Sequence, residues 1–237
     1  MILSDRKIRE EMRRGRIVIR PYRPDCLGTN SYDVHLGPYL AVYRSPALDA
    51  RTPNPIREFR IPKEGFLLLP GQLYLAVTEE YTETHGFVPF LAGKSSLGRP
   101  GIDIHATAGK GDEGFCNHWT LEMSVKLPVR IYAGMPVGQL IYFEISGAVD
   151  RSYRTKRSAK YRDVSAHPMP SKMYLNFRPA EPEHRRGPAA GATPRRSTRP
   201  GPSRSAPGPD RTPDASVARD RGGASGRRRR PRSRGGR

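Results

Sequence analysis

From Arg16 to Ile145 the chain is cut into short runs of β-branched and aromatic residues, each bounded by glycine or proline. The runs are RIVIRPY, SYDVHLG, YLAVYRS, GFLLLPG, LYLAVTEEY, GFVPFLAG, GIDIHATA, WTLEMSV, VRIYAG and GQLIYFEI. So many short strands at close spacing predict an all-β sandwich or barrel rather than βαβ units. Pro70-Gly71 signals a turn, and Gly134 and Gly138 frame another tight connection. Ahead of the strands one helix is expected. Ser4 can cap DRKIREEMRR, with Ile8 and Met12 on one face and Gly15 as the stop. No internal repeat stands out.

Charge divides the chain in two. The 237 residues carry a net charge of +19. From Glu181 onward sixteen Arg face five acids, a net of +11, which leaves +8 for residues 1–180. This C-terminal part has almost no large apolar residue, so it cannot bury enough surface to offset the entropy of ordering. It reads as a disordered tail over 178–237, following a β domain over 1–177. Arg227–Arg230, with Arg232 and Arg234, would attract a polyanion such as nucleic acid. A solvated extension without a function of its own has the same composition.

Cys26 and Cys116 are the only cysteines, too few for a disulfide framework. The N-terminus lacks the apolar core of a signal peptide, and no run reaches the length of a membrane span. A soluble, cytoplasmic protein with no membrane contact is expected.

The chemistry concentrates in GKSSLGRPGIDIHATAGKGDEGFCNHWTLEM, residues 93–123. KSSLGR sets two hydroxyls, backbone amides beside a glycine and two cations within six residues, which suits phosphate oxygens. The spacing is not that of a P-loop, and an ordinary polar turn has the same residues. In HWTLEMSV, strand alternation sends Leu121, Met123 and Val125 to one face and Thr120, Glu122 and Ser124 to the other. Glu122 is then either a solvated strand carboxylate or a general base. His105 alone reads as a core or hydrogen-bonded histidine, and Asp112 as a turn former.

The pattern KSSLGR…HATAG…DEGF…TLE, with ILSDRKI, SYDVHLG, LLPGQLYLAVTEEY, YRTKRSAKY and PSKMYLNF in order, resembles the dCTP deaminases of the trimeric dUTPase-like superfamily. The resemblance spans residues 1–177. It implies a distorted β-barrel or jelly-roll subunit, a homotrimer with active sites between subunits, and hydrolysis of dCTP to dUTP and ammonia. Mg²⁺ would accompany the nucleotide, and no zinc would be used. On matching positions Glu122 becomes the general acid/base, with Ser95 and Arg99 positioning the attacking water and the glutamate. Lys94, Ser95, Ser96, Leu97 and Gly98 form the segment that holds the triphosphate. Tyr153 and Lys160 close over it from a C-terminal lid. Ala108 and Asp112 fall where base and sugar are contacted, and Thr120 and Leu121 flank the glutamate.

Zinc deaminases instead rely on a His/Cys/Cys site with a P-C-x-x-C signature, which two lone cysteines do not provide. Without it, catalysis must come from positioning and preorganised donors. Several positions depart from the family pattern. Val164 stands at the usual lid glutamine, so Ser165 or His167 would have to replace it. Lys94 stands for an arginine, which loses a bidentate fork. Gly111 stands for an aliphatic residue and Asn117 for a glycine. Gly109, after Thr107-Ala108, looks more like the bifunctional members that release dUMP and pyrophosphate than the single-activity enterobacterial form. A third reading, from another class, is a nucleotide-sensing or nucleic-acid-associated binding protein.

Overall fold

The computed structural model describes residues 1–178. The basic tail, its disorder and its contact with nucleic acid fall outside the described residues, apart from Arg178. Helix α1 spans Asp5–Arg13 and is capped as expected, the Ser4 hydroxyl accepting from the Lys7 amide at 3.4 Å. Ile8 faces the core. Glu11 is also fully buried, where Lys7, Arg14 and Arg16 all pair with it.

Ten strands follow. They are β1 (Ile17–Arg20), β2 (Tyr32–Tyr43), β3 (Ile56–Arg60), β4 (Phe66–Leu68), β5 (Tyr74–Thr84), β6 (Phe87–Gly93), β7 (Ile102–Asp103), β8 (Cys116–Val125), β9 (Val129–Ile131) and β10 (Pro136–Glu144). Eight belong to one sheet, ordered β6-β10-β2-β5-β8-β7, with β1 on β5 and β3 on β2; β4 and β9 pair separately. The all-β, barrel-like expectation holds.

Two runs expected as separate strands, SYDVHLG and YLAVYRS, are one long strand, β2, with a register irregularity between Leu36 and Leu40. The irregularity bends the strand without ending it. The charged IREFR forms β3 on the sheet edge, where alternation of apolar residues is not needed. GIDIHATA keeps only the two residues of β7 in strand, since its second half turns into the loop before β8.

The core lies inside this sheet. Val34, Leu36, Leu40, Ala76, Leu121, Met123 and Leu140 have no exposed surface. Each large aliphatic side chain so buried is worth about 1.5–3 kcal/mol. After β10 the described residues form no further strand and run back across the barrel as a strap, which reaches a 3₁₀ turn at Met173–Phe177. No helix among the described residues is long and apolar enough to cross a membrane.

Candidate active site

The KSSLGR segment leaves the end of β6 and closes into a single helical turn, α2 (Ser95–Gly98), with Lys94 at its N-cap. Leu97 is 4% exposed and anchors the turn in the core, so Ser95, Ser96 and Arg99 are left facing out. Leu97 and Gly98 thus offer a ligand backbone groups only. Strand β10 lies between β6 and β2, pairing Gly138 with Gly93 and Gln139 with Asp33. Across it the Lys94 ammonium forms an ion pair with Asp33 of β2. A cleft of about 610 Å³ opens here, lined among others by Lys94, Ser95, Asp103, His105 and Gln139.

Glu122 stands on β8, whose alternation is the expected one: Leu121, Met123 and Val125 are buried and Thr120, Glu122 and Ser124 are half-buried. Its backbone N–H donates to the Ile104 carbonyl at 3.0 Å, which fixes the preceding loop to the strand. That bond brings His105 alongside, with Nδ1 3.4 Å from Glu122 Oε2. Nε2 of the same ring is buried without a partner, while the residue lines the cleft. Among the described residues no hydrogen bond or ion pair joins Ser95 or Arg99 to Glu122. One chain therefore does not assemble the expected serine–arginine–glutamate trio by itself.

The remaining candidates gather around the strap. Tyr153 packs edge-on against Phe115, and its hydroxyl accepts from the Tyr161 amide at 3.1 Å. Burial raises this phenol above the ordinary tyrosine range. Lys160 is half-buried next to it. The Thr120 hydroxyl accepts from the Met169 amide at 3.3 Å, so it is engaged by the strap. Leu121 is wholly buried and belongs to the core. Ala108 is exposed in the loop before β8, and Asp112 pairs with Lys110 at 2.7 Å.

Asn117 has the largest share in holding this strap. It is fully buried, and its Nδ2 donates to the carbonyls of Asp163 (2.9 Å) and Tyr161 (3.4 Å). Its Oδ1 accepts from the amides of Ser165 and His118, both at 2.9 Å. A glycine at this position could make none of these bonds. Val164, next to the clamp, is 62% exposed. The two side chains expected to compensate for it are occupied: Ser165 donates to the His167 carbonyl, and His167 binds Glu58 and stacks on Tyr39.

The loop glycines have steric reasons. A Cβ on Gly109 would lie 2.7 Å from the Leu91 carbonyl oxygen, and one on Gly111 would lie 2.7 Å from the Trp119 ring. Trp119 thus fills the space that an aliphatic residue would take at 111.

Sequence reasoning missed Asp33 as the partner of Lys94, the Asn117 clamp and the placement of His105 beside Glu122. SYDVHLG carried the first, as an acid in a strand that pairs with β10, but the partner lies 61 residues away and no local pattern announces it.

A dCTP deaminase-like family model matches residues 2–145. The chain is 42% identical over 177 residues to "dCTP deaminase, dUMP-forming" of Leptospira biflexa serovar Patoc, covering 75% of this chain and 98% of that protein. It is 43% identical over 177 residues to the protein of the same name from Cytophaga hutchinsonii, covering 75% and 99%. Among solved structures, 2'-deoxycytidine 5'-triphosphate deaminase from Agrobacterium tumefaciens matches with a TM-score of 0.50 and 20% identity, over 60% of this chain and 48% of that one. That likeness concerns the fold. The family match and the identity to these relatives make the chain an enzyme of the deaminase kind. The chain belongs to the dCTP deaminase-like family.

Proposed function

We propose that this protein deaminates dCTP, with Mg²⁺ bound to the nucleotide, and carries the product on to dUMP, ammonia and pyrophosphate. The observation that carries the reading is the naming of relatives at 42–43% identity as dUMP-forming, over nearly their whole length. Gly109 supports it: a Cβ there would lie 2.7 Å from the Leu91 carbonyl oxygen, which suits the glycine of the bifunctional pattern.

In the deamination step Glu122 accepts a proton from water as the oxygen attacks C4 of the cytosine ring. The carboxyl returns that proton to N3. A second relay protonates the amino group, which leaves as ammonia when the C4 carbonyl forms. One carboxylate can serve in both directions provided it is held beside the ring. Lys94, Ser95 and Ser96 would receive the triphosphate, Lys94 exchanging Asp33 for phosphate oxygens. Tyr153 and Lys160 would close over it.

Ser95 and Arg99 of one subunit would reach Glu122 of another. The lack of a hydrogen bond between these groups within one chain supports a trimer with sites between subunits. The second reading, release of dUTP, differs only in the fate of the triphosphate. Incubation with dCTP and Mg²⁺, with the nucleotides resolved by chromatography, separates the two. Stoichiometric dUMP and pyrophosphate support the first, dUTP alone supports the second, and intact dCTP overturns both.

A further inference from the structure

We propose that Glu83, His85 and Cys116 form a binding site for one divalent ion of the zinc class, at a distance from Glu122. Their ligand atoms all lie within 4.8 Å of one another. Glu83 Oε2 is 3.1 Å from His85 Nε2 and 4.0 Å from Cys116 Sγ. Tetrahedral zinc with bonds of about 2.0 Å to oxygen and nitrogen and about 2.3 Å to sulfur needs edges of roughly 3.3 and 3.5 Å. These two edges are within about 0.5 Å of those and the third is under 4.8 Å, so side-chain rotations would have to close the set.

Backbone pairing holds the three donors. Glu83 and Cys116 are direct cross-strand partners on β5 and β8. His85 follows at the turn, its amide donating to the Arg16 carbonyl at 2.8 Å. On the other side the Gly114 amide donates to the Thr84 carbonyl at 2.9 Å. An outer shell is also present. The Tyr81 hydroxyl donates to Glu83 Oε1 at 3.1 Å, leaving Oε2 for the ion and orienting the carboxylate. Arg154 sits beside Cys116 at a small cleft of about 100 Å³; burial pushes the Cys116 thiol above its ordinary range, and the Arg154 guanidinium offsets part of that. A carboxylate, a thiolate and a neutral imidazole would balance the dication, with a water as the fourth ligand.

The competing cluster, His35 with Glu79 and Glu80, is held by shorter bonds than the Glu83 set, in which His85 meets Glu83 at 3.1 Å and Cys116 Sγ donates to the Gly114 carbonyl at 3.4 Å. Arg23 pairs with Glu79 at 2.6 Å, and both Glu80 oxygens accept from His35, at its amide and at Nδ1. An ion there would have to displace these bonds.

Glu122 lies six residues further along β8, roughly 20 Å at strand rise, so an ion at Cys116 would take no part in proton transfer. Its effect would be to tie the β5 turn to β8 under the strap residue Arg154. Binding would release the Cys116 thiol proton to solvent.

The test is titration of the full chain with Co²⁺ alone, followed by displacement with Zn²⁺. One equivalent should give a near-ultraviolet sulfur-to-cobalt charge-transfer band, removed by Zn²⁺ and by Cys116→Ser, and retained in Cys26→Ser. His85→Gln, at a partly exposed position that does not threaten folding, should weaken Co²⁺ at least tenfold. No band in the wild type, a band that persists in Cys116→Ser, or unchanged Co²⁺ affinity in His85→Gln overturns the site. None of these readouts depends on dCTP turnover.

Discussion

The imidazole of His105 stands with Nδ1 3.4 Å from Oε2 of Glu122, while its Nε2 is buried and unpartnered beside the cleft. If Nδ1 carries the hydrogen toward the carboxylate, Nε2 is an acceptor that lacks a donor, a condition costing about 1–3 kcal/mol until a ligand or water meets it. On the proposed mechanism His105 would position Glu122. His105→Ala should lower kcat for dCTP by about tenfold or more through loss of orientation, with a smaller change in KM. His105→Asn, which keeps a donor near the same place, should recover part of it. Steady-state kinetics on both variants decide this, and equal kcat in His105→Ala removes the role.

The Asp33–Lys94 ion pair predicts a separation of binding from chemistry. Lys94→Ala should raise KM for dCTP roughly tenfold by loss of a charge-assisted phosphate contact, with little effect on kcat. Lys94→Arg should lower KM, because a guanidinium can hold Asp33 and a phosphate oxygen in one planar fork. Initial-rate measurements across dCTP concentrations check both.

Removal of the Asn117 clamp should loosen the strap without disturbing the barrel. Asn117→Gly deletes bonds to Asp163, Tyr161, Ser165 and His118. A loss of about 1–3 kcal/mol in unfolding free energy is expected. Limited proteolysis without nucleotide should cut the variant between residues 150 and 172 faster than the wild type. Identical cleavage rates would mean the strap is held by other contacts.

At Gly109 the close approach of Leu91 sets the expectation. Gly109→Ala should destabilise by about 1–3 kcal/mol through overpacking against backbone that cannot yield. Thermal unfolding measures this, and an unchanged midpoint would show that the loop yields instead.

These expectations also mark how far the sequence reaches. Alternation along WTLEMSV is a local property, and it correctly put Leu121 and Met123 inside and Glu122 at the half-exposed face. The Ser4 cap of α1 was equally legible, because capping acts over three residues. Lys94 with Asp33 and Asn117 with Ser165 were not legible, since sheet order and the path of the strap, rather than neighbouring residues, bring them together. The burial of Glu11 was hidden for a related reason: Arg16, beyond the helix end, turns back onto it.

Glu11 also gives the fold an acid limit. Burial alone would raise its carboxyl, but hydrogen bonds from Arg16 and Lys7 outweigh this and hold it below the ordinary value of 4.5. The unfolded chain therefore binds this proton more readily. The stabilisation is complete above about pH 4.5 and is lost as pH falls through the lower folded value. Urea unfolding from pH 7 to pH 3 should show stability falling at the acid end, with a shallower fall in Glu11→Gln.

On the proposed mechanism the Glu122 carboxylate relays the protons of deamination. The most direct test is the rate of ammonia release from dCTP by the wild type and by Glu122→Gln, at matched folding by circular dichroism. Release by the wild type is expected, with a loss on the order of 10²–10⁴-fold in the variant. Comparable release by the two proteins would contradict it.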